Sequence, residues 1–204
     1  MKTKSHWEKV YAKNAPEEVS WFQEHSEVSL QFILRTGVSK QAALIDIGGG
    51  ASTLVDDLLR RGFEDVSVLD ISEAALKIAQ LRLGAASLKV HWMRSDITEI
   101  ELPSHRYDLW HDRAVFHFLT NAEDRRLYVK NALNAIKPNG HIIVATFGAH
   151  GPLSCSSLDV LRYSPEELHH EFGDAFKLLE SSQEMHETPF GTQQEFTYCY
   201  CRKP

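Results

Sequence analysis

Residues 42–53 read Ala-Ala-Leu-Ile-Asp-Ile-Gly-Gly-Gly-Ala-Ser-Thr, and this stretch decides the fold. Its first six residues are apolar or branched except for one Asp, which predicts a short strand buried on both faces of a parallel sheet. The three glycines that follow let the backbone turn sharply and let a ligand approach with no Cβ in the way. Ser52 or Thr53 then caps the next helix. A strand, a glycine turn and a helix N-terminus form a corner typical of nucleotide binding.

The residues in this corner indicate which nucleotide it suits. The dinucleotide fingerprint has a glycine or alanine three residues after its second glycine, whereas here Gly48 and Gly50 are followed by Thr53. Asp46 lies on the strand itself, where we expect its side chain to face the ligand. A carboxylate at that position suits a cationic group and repels a pyrophosphate.

Acidic residues also close the next two predicted strands. Asp70 follows the strand 66–69 and is placed to accept hydrogen bonds from both hydroxyls of a ribose, while Ile71 offers an apolar surface to an adenine ring. Asp96 comes shortly after the strand 88–93, where it is able to accept from an exocyclic amine. A ligand with a ribose, an adenine and a zwitterionic, cationic tail fits this set better than NAD does.

At these positions the chain resembles the class I S-adenosylmethionine-dependent methyltransferases. Their first motif, D-x-G-x-G, is matched by Asp46, Gly48 and Gly50, and their later acidic positions are matched by Asp70 and Asp96. With the turn at residues 137–140, Lys-Pro-Asn-Gly, the resemblance covers roughly residues 40–147. It implies S-adenosyl-L-methionine as cofactor and S-adenosyl-L-homocysteine as product. The expected cofactor-binding residues are Trp21, Asp46, Gly48, Gly49, Gly50, Asp70, Ile71, Asp96, Ile97 and His111.

The alternation of strands and helices predicts an α/β protein with a parallel sheet and right-handed crossovers. The resemblance makes this a Rossmann-like three-layer sandwich, with a seven-stranded, mostly parallel sheet completed by a C-terminal antiparallel hairpin. We expect a single methyltransferase domain over residues 1–204. Its predicted parts are an N-terminal helical lid (1–35), a cofactor-binding core (40–147) and a substrate-side loop, helix and final hairpin (148–204). We expect the fourth strand at 107–110, the fifth at 141–147, and a long connection at 185–194 between the last two strands.

Aromatic residues before the sheet have two interpretations. The pattern W-x-x-x-Y followed by W-F also occurs in some small family members, including methyltransferases acting on protein lysines, where the segment lies over the cofactor. Trp21 and Tyr11 then belong to a lid that excludes water. Alternatively, the two side chains only anchor the N-terminal helix to the core.

Polar residues after the predicted fourth strand are the candidates for the acceptor site, because ligands of open α/β sheets bind beyond the carboxyl ends of the strands. His111, Asp112 and His117 are the candidate catalytic bases, needed if the acceptor arrives protonated. Asp112 and Arg113 have the alternative role of an ion pair that fixes the loop. His117 stands among apolar residues and has the alternative role of a hydrogen-bonded core residue.

The acceptor class stays open between a small molecule and a protein side chain. Lysine-modifying relatives often have an acidic residue and Lys-Gly-Thr after the fourth strand, and the His-Asp-Arg-Ala at residues 111–114 departs from that pattern. Two other classes share part of the motifs. An NAD(P)-dependent oxidoreductase shares Gly48, Gly50 and Asp70, although no Tyr-x-x-x-Lys pair is in place. A non-catalytic cofactor-binding partner subunit shares all of them.

Composition narrows the remaining properties. The 204 residues are 43% hydrophobic and 25% charged, as in a globular protein with one sizeable core. A formal net charge of −6 without a basic stripe disfavours nucleic acid as substrate. We expect no membrane span, no signal peptide, no metal site among the eleven histidines, and a monomer or weak dimer. Three cysteines cannot all pair, which favours reduced thiols in a cytoplasmic protein.

Overall fold

The computed structural model describes residues 2–204, with side chains described from residue 4. Its helices are α1 (Lys2–Lys13), α2 (Glu27–Arg35), α3 (Leu54–Arg60), α4 (Glu73–Leu83), α5 (Ala122–Ala135) and α6 (Pro165–Phe172). Its strands are β1 (Ala43–Ile47), β2 (Asp65–Asp70), β3 (Val90–Arg94), β4 (Tyr107–Arg113), β5 (Ile136–Phe147), β6 (Ser154–Cys155), β7 (Leu158–Asp159), β8 (Lys177–Glu187) and β9 (Gln193–Arg202). Strands β6 and β7 form a separate two-stranded hairpin.

The main sheet has seven strands in the order β3-β2-β1-β4-β5-β9-β8. The first five are parallel, and β9 runs antiparallel to both of its neighbours. Successive side chains of a strand point to opposite faces. Leu44 of β1 therefore packs in one core cluster with α2 and α3, while Ile45 and Ile47 pack in another with α5 and α6. The predicted α/β sandwich with its C-terminal antiparallel hairpin is confirmed.

Strand β4 continues beyond its predicted end at residue 110. His111 and Asp112 keep the parallel pairing with β1 on one side and β5 on the other, Arg113 still pairs with β5, and His111 lies opposite Asp46. The prediction that these residues follow the strand was therefore wrong. The neighbouring strands supply hydrogen-bonding partners for the extended backbone, so this segment remains part of the sheet.

Two further boundaries differ from the predicted ones. The final hairpin pairs out to Glu187 and Gln193, so its connection is short and the long loop predicted at 185–194 was wrong. Strand β5 begins at Ile136, where it pairs with Tyr107, and not at residue 141. Among the helices of residues 2–204, none combines the length and the apolar character that crossing a bilayer requires.

Helix α1 is tied to the start of α4. The carboxylate of Glu8 accepts hydrogen bonds from the backbone N–H of Glu73 at 2.7 Å and of Ala74 at 3.1 Å. The Ser72 hydroxyl donates to the same carboxylate at 3.3 Å. These N–H groups are the unpaired donors at a helix N-terminus, where a negative charge is favoured. The contact holds α1 beside the carboxyl end of β2.

Candidate active site

Two cavities lie at the carboxyl edge of the parallel strands, on either side of the glycine turn. The larger is about 190 Å³ and the smaller about 60 Å³. The residues that line both, and so mark where they meet, are Tyr11, Trp21, Ile47, Gly48 and Arg113. The sheet order β2-β1-β4 puts this point where successive crossovers leave the sheet in opposite directions, as expected of a ligand site in an open α/β sheet.

The glycine turn has the shape that its sequence predicts. Gly48 has a φ of +69°, which side chains rarely adopt, and its N–H donates to the carbonyl of Leu69 at 2.7 Å. A Cβ there would run into the side chain of Val115. A Cβ on Gly50 would run into the carboxylate of Asp70, so this glycine keeps that carboxylate clear although it lines neither cavity.

Arg82 of α4 fixes the far side of the turn. Its guanidinium donates to the carbonyl oxygens of Ala51 at 2.9 Å and Ser52 at 2.6 Å. The same group binds the carboxylate of Asp56 at 2.7 Å. The exit of the turn is thus held by a side chain from the next strand–helix unit.

Four of the predicted cofactor residues line only the larger cavity: Asp70, Ile71, Asp96 and Ile97. The Asp70 carboxylate is buried and accepts from the Ser72 N–H at 2.8 Å. Burial raises its pKa to about 7, against hydrogen bonds from the backbone of Ser72 and Gly50 that lower it. Asp96 accepts from the backbone N–H and the hydroxyl of Thr98 with a single oxygen. Two carboxylates from neighbouring strand ends therefore share one cavity.

The smaller cavity contains Asp46, Gly49 and His111. Asp46 and His111 are both buried, and one carboxylate oxygen of Asp46 lies 2.7 Å from Nδ1 of the imidazole. The sequence placed both residues near the cofactor but did not pair them with each other. The two residues pair because they lie opposite one another on β1 and β4. A prediction that extended β4 as far as His111 would have placed them side by side.

Aromatic rings cover the cavities from the side of α1. Trp21 donates from Nε1 to the Tyr11 hydroxyl at 3.2 Å, and both side chains line both cavities. Trp7 lies 5.6 Å from Trp21 and 5.1 Å from Phe118, measured between ring centroids. The placement favours the lid interpretation. Trp7 and Phe118 were missed as lining residues, although the i, i+4 spacing of Trp7 and Tyr11 on one helix face was available as a signal.

Asp112 lines neither cavity, and its carboxylate is used for hydrogen bonds within the protein. It accepts from the Tyr128 hydroxyl at 2.7 Å and from the N–H groups of Val115 and Phe116 at 2.9 and 3.2 Å. Burial raises its pKa to about 7. The alternative ion pair with Arg113 is not formed, because adjacent residues of a strand point to opposite faces. Arg113 instead lies 3.6 Å from Glu184.

His117 also lines neither cavity. Its Nδ1 accepts the backbone N–H of Phe147 at 3.1 Å, so Nε2 carries the proton of the neutral ring. Burial, and secondarily the charge of Arg113, lowers its pKa to about 3. An imidazole held neutral and away from the cavities fits the core role better than that of a base.

Comparison with known proteins supports a methyltransferase. A family model described as a methyltransferase domain matches residues 44–140. The human EEF1A lysine methyltransferase 2 is 25% identical over 200 residues, covering 87% of this chain and 75% of that protein. A ubiquinone biosynthesis O-methyltransferase of Alkalilimnicola ehrlichii is 31% identical over 103 residues, covering 50% of this chain and 40% of that protein.

The fold has close counterparts among solved structures. The N-methyltransferase NodS from Bradyrhizobium japonicum, in complex with S-adenosyl-l-homocysteine, superposes with a TM-score of 0.73 at 16% identity and covers 98% of both chains. That likeness confirms the Rossmann-like architecture. The matched domain spans the glycine turn and the three acidic positions that the motifs single out. The matched domain, the named relatives and the shared fold together support a class I S-adenosylmethionine-dependent methyltransferase.

Proposed function

We propose that the cofactor spans both cavities, with its adenosine in the larger and its methionine end in the smaller. The observation that carries this placement is the division of the predicted residues. Asp70, Ile71 and Asp96 line only the larger cavity, whereas Asp46 and His111 line only the smaller one. The sulfonium then lies near Gly48, where the cavities meet and where a side chain would fill the space.

The proposed reaction is direct in-line displacement at the methyl group. When bound, S-adenosylmethionine supplies a methyl group that is already activated by the sulfonium charge. The protein contributes alignment and dehydration, which in well-oriented systems account for roughly 7–11 kcal/mol of a barrier. Tyr11 and Trp21 line the meeting point of the cavities and exclude water from it. Of the three candidate bases only His111 lines a cavity, and because that is the smaller cavity we assign His111 to the methionine end of the cofactor and not to the acceptor.

The acceptor is a small molecule or a single protein side chain, and we favour the small molecule. Residues of helix α1 line the cavities and the helix is anchored by Glu8, an arrangement that favours a compact acceptor over an extended peptide. The relatives include both classes, since one modifies a lysine of EEF1A and another is an O-methyltransferase of ubiquinone biosynthesis, as their names state.

Transfer of a labelled methyl group tests the proposal. Wild-type protein and tritiated S-adenosylmethionine are incubated with a cell extract, and the label is counted in the protein and in the small-molecule fractions. We expect label in the small-molecule fraction. Label in protein alone would refute the small-molecule acceptor. A thermal-shift comparison of S-adenosylhomocysteine with NAD tests the identity of the cofactor, because a ligand at a hundred times its Kd adds about 2.7 kcal/mol to the free energy of unfolding. Stabilisation by NAD but not by S-adenosylhomocysteine would contradict the placement.

We further propose a cytoplasmic enzyme that is a monomer or weak dimer. All three cysteines are free thiols, and the sulfurs of Cys199 and Cys201 lie 3.4 Å apart without a bond, which suits a reducing compartment. Light scattering after size-exclusion chromatography measures the oligomeric state. A stable higher oligomer would contradict this part of the proposal.

A further inference from the structure

Within the described part of the chain, the guanidinium of Arg113 has partners for two of its nitrogens and none for the third. Nε donates to the Tyr198 hydroxyl at 3.2 Å, and Nη1 donates to the carbonyl of Trp21 at 3.5 Å. Glu184 is the counter-charge at 3.6 Å, and the group lies 4.0 Å from the ring centroid of Phe196. Nη2 is buried and has no partner among residues 4–204. A buried donor of a permanent cation is costly to leave unpaired.

His111 leaves a complementary atom open in the same place. Its Nδ1 faces the Asp46 carboxylate, which accepts hydrogen bonds, so in the uncharged tautomer the single ring proton is on Nδ1. Nε2 is then an acceptor, and it too is buried without a partner among the described residues. Both side chains line the smaller cavity. An unpaired donor on a cation and an unpaired nitrogen on an imidazole thus belong to two side chains that line the same small cavity.

We propose that Arg113 and His111 clasp the amino-acid end of the cofactor, with Nη2 binding its carboxylate and Nε2 accepting from its ammonium. Arg113 is the only lysine or arginine among the described residues that line either cavity, so no other fixed cation is available to the carboxylate. The assignment rests on the proposed placement of the methionine end in the smaller cavity.

Two ligands isolate this contact. S-adenosylhomocysteine has the amino-acid end, and 5′-methylthioadenosine has the adenosine and thioether without it. Calorimetry gives the Kd of each for wild type and for Arg113→Gln. We expect the variant to bind S-adenosylhomocysteine about tenfold to a hundredfold more weakly, the size of a lost charge-assisted hydrogen bond. Binding of 5′-methylthioadenosine should stay within about twofold of wild type.

Two more variants complete the test. Arg106→Gln removes an arginine that pairs with Asp65 far from both cavities, and we expect wild-type affinity for both ligands. His111→Asn retains a donor for Asp46 but, being shorter, has no atom at the position of Nε2, and we expect a several-fold loss of affinity for S-adenosylhomocysteine alone. Unfolding by circular dichroism confirms that each variant is folded.

The outcomes separate the clasp from the cofactor placement. If Arg113→Gln binds S-adenosylhomocysteine as wild type does, or loses both ligands equally, the clasp is refuted. Failure of wild type to bind 5′-methylthioadenosine, with S-adenosylhomocysteine bound normally, would refute the adenosine site instead. Retention of partial affinity in Arg113→Lys, which keeps the charge but not the fork of donors, would support the role of the charge.

Discussion

Ionisation of Asp70 should control how tightly the adenosine end binds. The pKa of this buried carboxyl is about 7 in the free protein, and only the ionised form accepts hydrogen bonds from both ribose hydroxyls. The ionised fraction rises from about 9% at pH 6 to about 91% at pH 8, and an affinity that needs this form scales with the fraction. We therefore expect affinity for 5′-methylthioadenosine to increase about tenfold over this range. The ligand has no group that titrates there, so the dependence belongs to the protein.

Calorimetry at pH 6, 7 and 8 measures the effect, and two variants locate it. Asp70→Asn should bind more weakly and show no rise with pH. Asp112→Asn is the matched control, because the pKa of Asp112 is also about 7 while its side chain lines neither cavity. It should keep the tenfold rise, and 2′,3′-dideoxyadenosine should show none with wild type. A flat wild-type profile, or a rise that persists in Asp70→Asn, would refute the reasoning.

Three other variants test separate parts of the structure. Gly50→Ala places a Cβ against the Asp70 carboxylate, and an overlap that costs about 1–3 kcal/mol should weaken binding of S-adenosylhomocysteine by roughly fivefold to a hundredfold in calorimetry. Wild-type affinity of this variant would contradict the role given to Gly50. Glu8→Gln should speed amide hydrogen exchange throughout α1, since the contact of residue 8 with the N-terminus of α4 weakens when its charge is removed. Unchanged exchange would mean that other contacts hold α1 in place. His117→Asn keeps an acceptor for the Phe147 N–H and should retain methyl transfer within a few-fold. Because the pKa of His117 is lowered in the folded protein, its contribution to wild-type stability is complete above about pH 6.5 and is lost as the pH falls toward 3. The free energy of unfolding in urea should therefore fall less between pH 7 and pH 5 in the variant than in wild type. A variant that is folded but inactive would support His117 as a general base.

Local patterns predicted the parts of the site that lie within one strand and its turn. The D-x-G-x-G motif gave the turn and the positions of Asp46 and Gly48, since a glycine with positive φ and a strand-end carboxylate are properties of a few consecutive residues. Asp70 and Asp96 came from the same reasoning applied to the ends of two more strands. All four line a cavity in the structure.

Contacts between distant segments were beyond the same reasoning. The pairing of Asp46 with His111 depends on how far β4 stays paired, which its neighbours determine and its own residues do not. The cap that Glu8 forms on α4 joins segments about 65 residues apart, and the contact of Arg113 with Glu184 joins two strands through a sheet order that periodicity does not specify. Such contacts emerge only from the assembled tertiary structure.

The guanidinium of Arg82 has a thermodynamic consequence for ligand capture. Because it already holds the carbonyls of Ala51 and Ser52 in the free protein, the turn is preorganised and little backbone entropy is lost there when a ligand arrives. Affinity and residence time are then separable properties, because the first depends on a turn that is already ordered and the second on how strongly Glu8 holds α1 over the cavities.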